Sequence, residues 1–125
     1  MMVPVEKSVL IVEDEALIRA LCVDVFEEAG FAVSEAETGD QALAMLEDGL
    51  AVTAIVSDVR MPGAVDGMAL REEVHRRWPR TRFLLTSGHL HVDRDILSEG
   101  EAFLPKPYRF LEMVSEVEAL LILKA

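Results

Sequence analysis

Cysteine occurs once in the 125 residues, as Cys22, so no internal disulfide can form. The thiol falls in an apolar helical pattern with Leu17, Leu21 and Val25. No basic neighbour stands beside it to lower its pKa, so it reads as a core group and not as a redox sensor. Positive charge is also scarce: 12 Lys and Arg face 23 Asp and Glu, for a formal net charge of −11. Nucleic acid needs a basic face and anionic lipid attracts the same sign, so neither direct nucleic-acid binding nor membrane docking is expected. A metal cation or a basic protein surface suits the balance better. No stretch approaches the ~20 apolar residues of a membrane span. The run Val9-Leu10-Ile11-Val12 is too short for the core of a secretory leader and runs into acids, which points to a cytoplasmic protein. Linkers, internal repeats and low-complexity tracts are missing as well.

What is present suffices for one core. Hydrophobic residues make up 51% of the chain, which argues against disorder. The length fits one compact domain over the whole chain, with its folded part at about 8–123. Short apolar runs alternate with helical periodicity. Ser8–Val12, Phe31–Ala36, Ala54–Ser57, Arg82–Thr86 and Ala102–Leu104 read as strands. Glu15–Ala29 reads as a helix stopped by Gly30, and Asp40–Glu47 as a helix capped by Thr38. Gly67–Trp78 reads as a helix capped by Asp66 and stopped by Pro79. Pro107 marks the start of a last helix that runs to about Leu123. Residues 88–101 show no clear pattern. Unbroken apolar strands joined by helices predict a parallel, doubly wound α/β sheet, in which ligands sit beyond the carboxyl ends of the strands.

Those ends carry chemistry. The first strand runs into Glu13-Asp14-Glu15, the third into Asp58, and the fourth into Thr86-Ser87-Gly88, while Lys106 follows the fifth. Clustered carboxylates repel one another unless a cation sits among them. Mg²⁺ prefers one or two carboxylates together with waters and phosphate oxygens. A carboxylate beside such a cation can act as a nucleophile toward phosphorus, with a lysine opposing the phosphoryl charge from the other side.

The motifs Val9-Leu10-Ile11-Val12-Glu13-Asp14, Ser57-Asp58-Val59-Arg60-Met61-Pro62-Gly63, Asp66-Gly67, Leu85-Thr86-Ser87-Gly88 and Phe103-Leu104-Pro105-Lys106-Pro107-Tyr108 stand in this order on the predicted strand ends. Together they closely resemble the CheY-like receiver domains of bacterial two-component response regulators, from Ser8 to about Leu123. The resemblance implies a (βα)5 flavodoxin-like sheet in the order 2-1-3-4-5, here with a short or irregular fourth helix. It implies that Asp58 accepts a phosphoryl group in a Mg²⁺-dependent reaction (Mn²⁺ being a substitute). Asp14, Asp58 and the backbone carbonyl of Arg60 would ligate the metal, and Glu13 would help through water. Ser87 and Lys106 would hold the phosphoryl group, Phe103 would be the switch aromatic, and the Lys106–Pro107 bond would be cis. The implied donor is a histidine kinase or a histidine phosphotransfer protein, and the implied output is an unnamed protein partner.

Several positions depart from the family's common pattern. Glu13 replaces an aspartate and is a methylene longer. Val59 is not aromatic, and Phe103 lacks a hydroxyl. The Pro62–Val65 loop is slightly long, and the stretch between Ser87 and Phe103 is short. Arg60 and His89 lie just beyond Asp58 and Ser87, where a long side chain would obstruct or orient attacking water and so tune the phosphoryl lifetime. The segment from Gly88 to Glu101, poor in well-spaced apolar residues, is expected to be weakly held and to respond to phosphorylation, with Phe103 turning inward.

Simpler readings compete. Asp58 alone is an ordinary strand-end aspartate, and Glu13-Asp14-Glu15 could serve only the dipole of the first helix. Ser87 alone would be a turn residue, Lys106 a solvated lysine, and Phe103 a core aromatic. His75 reads as a solvated helix position, and His89 and His91 lack metal-site spacing with any cysteine. An aspartate-nucleophile phosphatase would place a second aspartate shortly after the first-strand acid, where Ala16 stands. A flavodoxin-type FMN binder would want a glycine-rich loop in place of Glu13-Asp14-Glu15. The same fold could also serve as a binding module that is never phosphorylated. The chain reads either as a free-standing regulator or as a receiver excised from a hybrid histidine kinase.

Overall fold

A computed structural model describes residues 7–88 and 96–122. Strands β1 (Ser8–Val12), β2 (Ala32–Ala36), β3 (Ala54–Asp58), β4 (Arg82–Ser87) and β5 (Glu101–Pro105) form one parallel sheet in the order β2-β1-β3-β4-β5. Among the described residues the helices are α1 (Ala16–Glu28), α2 (Gly39–Glu47), α3 (Gly67–Arg77) and α4 (Phe110–Leu121). The expected short or irregular fourth helix falls mostly on residues 89–95, which lie outside the described ones, as do His89 and His91. No described helix is long and apolar enough to cross a membrane.

Each strand presents alternate residues to opposite faces, so the sheet carries two cores. On one face α2 and α3 bring Ala42, Leu46, Leu70 and Val74 against Leu10, Ile55, Phe83, Leu85 and Phe103. On the other, α1 and α4 bring Cys22, Phe26, Met113, Val114 and Val117 against Val9, Ile11, Val56 and Leu84. β1 and β3 lie in the middle of the sheet and are covered on both sides, which is why their sequences are continuous apolar runs. Cys22 is buried, and burial pushes its thiol up to about 12.

The caps explain where the helices begin. Thr38 accepts a hydrogen bond from the amide of Gln41 at 3.0 Å, and Asp66 Oδ1 accepts from the amide of Ala69 at 2.9 Å. The last helix departs from the sequence-based boundary. It starts at Phe110 and not at Pro107, because Arg109 is its N-cap residue and Glu112 Oε1 accepts from the Arg109 amide at 2.8 Å. Pro107 belongs to the preceding loop, joined to Lys106 by a cis peptide bond.

α3 carries an arginine on its buried side. Arg71 Nη1 lies 2.9 and 3.1 Å from the two carboxylate oxygens of Glu101, with only 9% and 5% of the two side chains exposed. Glu101 Oε1 also accepts from the amide of Ser98 at 2.6 Å. The pair therefore ties α3 to the start of β5 and to the turn before it. α3 runs back from the carboxyl ends of the strands, so Trp78 at its end lies at the opposite edge of the sheet, with the Arg77 guanidinium 4.6 Å from its ring centroid.

Candidate functional site

The strand ends arrive level. Val12 pairs with Ala36 and Ser57, Asp58 with Thr86, and Ser87 with Pro105. The amide of Glu13 donates to the carbonyl of Ala36 at 3.1 Å, carrying the β1 ladder one residue past the strand. These pairings bring Glu13, Asp14, Asp58, Ser87 and Lys106 to one edge, where the sequence places them.

Asp58 ends β3 as its last residue and is not the first residue of a loop. Its side chain is 14% exposed, and its Oδ2 lies 3.0 Å from Lys106 Nζ. Burial alone would lower the pKa of Lys106; the hydrogen bond and charge of Asp58, with Glu13 and Glu15 behind, outweigh it and raise it. The lysine is held from its own backbone as well, since its amide donates to the Ser87 carbonyl at 2.8 Å. Its stem passes over Gly88, where an added Cβ would lie 3.3 Å from Lys106 Cδ.

Glu13 is buried, and its carboxylate accepts from the amide of Glu15 at 3.2 Å, in effect capping α1 where no N-cap side chain does so. Burial pushes its pKa up to about 7 from an ordinary 4.5. The Glu15 amide opposes that rise, Asp14 and Asp58 add to it, and Lys106 opposes it again. Folding thus retains a proton that the unfolded chain loses at lower pH, so stability contributed by this group falls as pH rises from 4.5 toward 7. A cation held at this edge would remove the repulsion and would need the carboxylate form. Mg²⁺ affinity is therefore expected to climb from about pH 6 to about pH 8 and then level off; a titration flat across that range would take Glu13 out of the metal's surroundings.

Arg60 is exposed and lines a cleft of about 410 Å³ with Asp14, Met61, Pro62 and Asp66. The loop it begins is pinned at both ends. The Val59 amide donates to the Thr86 carbonyl at 2.9 Å, and the Gly67 amide to the Val59 carbonyl at 2.8 Å. At Gly67 an added Cβ would run into the Asp58 carbonyl oxygen and sit 2.7 Å from Val59 Cα, so α3 is butted against the backbone of Asp58. Midway, Asp40 Oδ1 accepts from the Val65 amide at 3.0 Å. Ser87 is buried at the end of β4. Phe103 is only 7% exposed and belongs to the core on the sheet face that α2 and α3 cover, so the ring expected to turn inward is already inside.

Among the described residues no three His, Cys, Asp or Glu side chains cluster as a metal site by themselves. His75 is exposed on α3, away from this edge.

Arg19 was not among the sequence-based candidates. Its Nη1 donates to the Glu13 carbonyl at 2.8 Å, and its Nε lies 3.0 Å from Glu35 Oε1. The signal was present: side chains on a helix lean toward its N-terminus, so an arginine just inside α1 reaches back to the strand end.

Comparison with known proteins agrees with the geometry. The profile of the response regulator receiver domain matches residues 9–118. The chain is 34% identical to the sensor kinase CckA of Brucella abortus, over 91% of this chain and 12% of that protein. It is 33% identical to the transcriptional regulatory protein ResD of Bacillus subtilis, over 93% of this chain and 48% of that one. It thus spans half or less of the length of these relatives. The solved receiver domain of the hybrid histidine kinase CckA superimposes with a TM-score of 0.77 at 29% identity, covering 91% of this chain and 98% of that one. The response regulator TrrA of Thermotoga maritima, solved in complex with Mg(2+)-BeF, gives a TM-score of 0.79 at 27% identity, covering 91% and 98%.

Proposed function

The chain belongs to the response regulator receiver family, a family of signalling domains, and from that premise we propose that it accepts a phosphoryl group on Asp58 in a Mg²⁺-dependent transfer. The observation that carries the reading is the 3.0 Å contact of Lys106 with Asp58, on the edge that also holds the raised, crowded carboxyl of Glu13. Asp14, Asp58 and the Arg60 carbonyl would hold Mg²⁺, with Glu13 acting through water. Bound there, the ion would neutralise charge on the phosphoryl group in flight.

In the transfer an oxygen of Asp58 forms a bond to phosphorus. The bond from phosphorus to the donor's imidazole nitrogen breaks, and the nitrogen keeps the electron pair. Lys106 is already placed to oppose the new negative charge, and the Ser87 hydroxyl would donate to a phosphoryl oxygen. Because Phe103 is buried from the outset, the response is assigned first to Ser87 and the segment it begins. Arg60, and His89 beyond the described residues, would tune how long the acyl phosphate lasts. The donor is a histidine kinase or phosphotransfer protein, and the output partner is a protein.

Acetyl phosphate tests this without a kinase; its bridging oxygen then replaces the nitrogen, and acetate leaves. With Mg²⁺, intact mass should show one labile phosphoryl adduct, and with EDTA none. Asp14→Ala should lose Mg²⁺ affinity and adduct together. A wild-type protein that binds no Mg²⁺ and gains no adduct would instead be a phosphorylation-independent binding module.

A further inference from the structure

β1 stops at Val12, and the Glu13 amide makes the last bond to the β2 edge. The peptide joining Glu13 to Asp14 therefore lies past the sheet, yet its orientation fixes the direction in which the Asp14 side chain leaves the backbone. A side chain holds that peptide. Arg19 Nη1 donates to its carbonyl oxygen at 2.8 Å. The guanidinium is itself held by Glu35 Oε1 at 3.0 Å from Nε and Glu37 Oε1 at 3.7 Å from Nη2, and the Arg19 side chain is only 13% exposed. A planar guanidinium gripped on several sides sets a direction as well as a distance.

We infer that Arg19 is a positioning residue for the metal site: it locks the Glu13–Asp14 peptide so that the Asp14 carboxylate is presented to Mg²⁺. The inference rests on Asp14 being a metal ligand, as proposed above. It makes a prediction opposite to that of simple charge. Removing a cation from an acidic edge should tighten Mg²⁺ binding by Coulomb's law. Losing a positioning contact should loosen it, as removal of partners behind metal ligands does by about 10-fold to 100-fold.

The measurement is calorimetric titration of Mg²⁺ into wild type, Arg19→Met, Arg19→Lys and Lys7→Met, each with its thermal midpoint. Lys7 makes a comparable contact at the opposite end of β1: its Nζ donates to the Ala29 carbonyl at 2.7 Å and pairs with Glu118 at 3.2 Å. Arg19→Met should lose Mg²⁺ affinity by about 10-fold or more, Arg19→Lys by less, and Lys7→Met not at all despite its own loss of stability. Unchanged or tighter binding in Arg19→Met overturns the positioning role and leaves the function intact. Equal weakening in Lys7→Met also overturns it, because general loosening then explains the effect. If Arg19→Met does not fold, Arg19→Lys decides, and wild-type affinity in that variant overturns the inference. Absence of Mg²⁺ binding by wild type overturns both the inference and the function it rests on.

Discussion

Asp58→Asn should abolish the labile phosphoryl adduct and leave the fold intact. The amide nitrogen or oxygen of asparagine is too weak a nucleophile to replace the carboxylate, so loss should be complete under conditions that label wild type fully. Stability should change little. The lost Lys106 contact is a partly exposed pair, with 35% of the lysine side chain in solvent, and such pairs contribute little. Removing the charge also relieves Glu13, whose proton Asp58 helps to retain, so the Glu13 carboxyl should titrate at lower pH in the variant. Intact mass after acetyl phosphate treatment checks the first point, and carboxyl titration by NMR the second. An adduct of equal stoichiometry in the variant would place the acceptor elsewhere.

Arg71→Ala should cost about 3–5 kcal/mol, the usual consequence of leaving one member of a buried ion pair without the other. The abandoned Glu101 carboxylate is 5% exposed and, among the described residues, keeps only the Ser98 amide. Its loss should loosen the turn into β5 as well as the middle of α3. Urea unfolding followed by the fluorescence of Trp78 measures the change. Replacing both partners, as Arg71→Met with Glu101→Leu, should recover most of the loss, because the desolvation penalty disappears with the charges. A cost below about 1 kcal/mol for Arg71→Ala would mean that water reaches the pair.

The strands and the meeting of their end residues at one edge were legible in the sequence because two rules suffice for them. Unbroken apolar runs such as Val9–Val12 and Ala54–Val56 mark strands covered on both faces, and the residues just beyond must then meet at one edge. Glu13, Asp58, Ser87 and Lys106 follow directly. Contacts that join distant elements were not legible. Nothing local distinguishes Arg71 from the exposed Arg76 on the same helix, and only the approach of β5 shows that Arg71 faces inward. Arg19 was hidden in the same way, since its target is a backbone carbonyl and carries no side-chain signature. The start of α4 was misplaced because Pro107 suits a first helical turn, while the true N-cap, Arg109, is not a residue type favoured there.

The seating of α3 on Asp58 sets what a redesigned version of this protein could contain. Gly67 is a glycine for lack of space and not for freedom of backbone, since any side chain there meets the peptide of Asp58. Gly39 is alike: an added Cβ would run into the carbonyl oxygen of Val65 and lie 3.0 Å from its Cγ1. Gly49 is the contrary case: nothing crowds it, but its φ of +106° is a backbone conformation that side-chain-bearing residues rarely adopt. A combinatorial library randomised at all three positions should return glycine at each, for lack of room at 39 and 67 and for backbone conformation at 49. The loop between Asp58 and α3 is thereby a fixed mould, open to redesign in its outward side chains and closed to it along its inner wall.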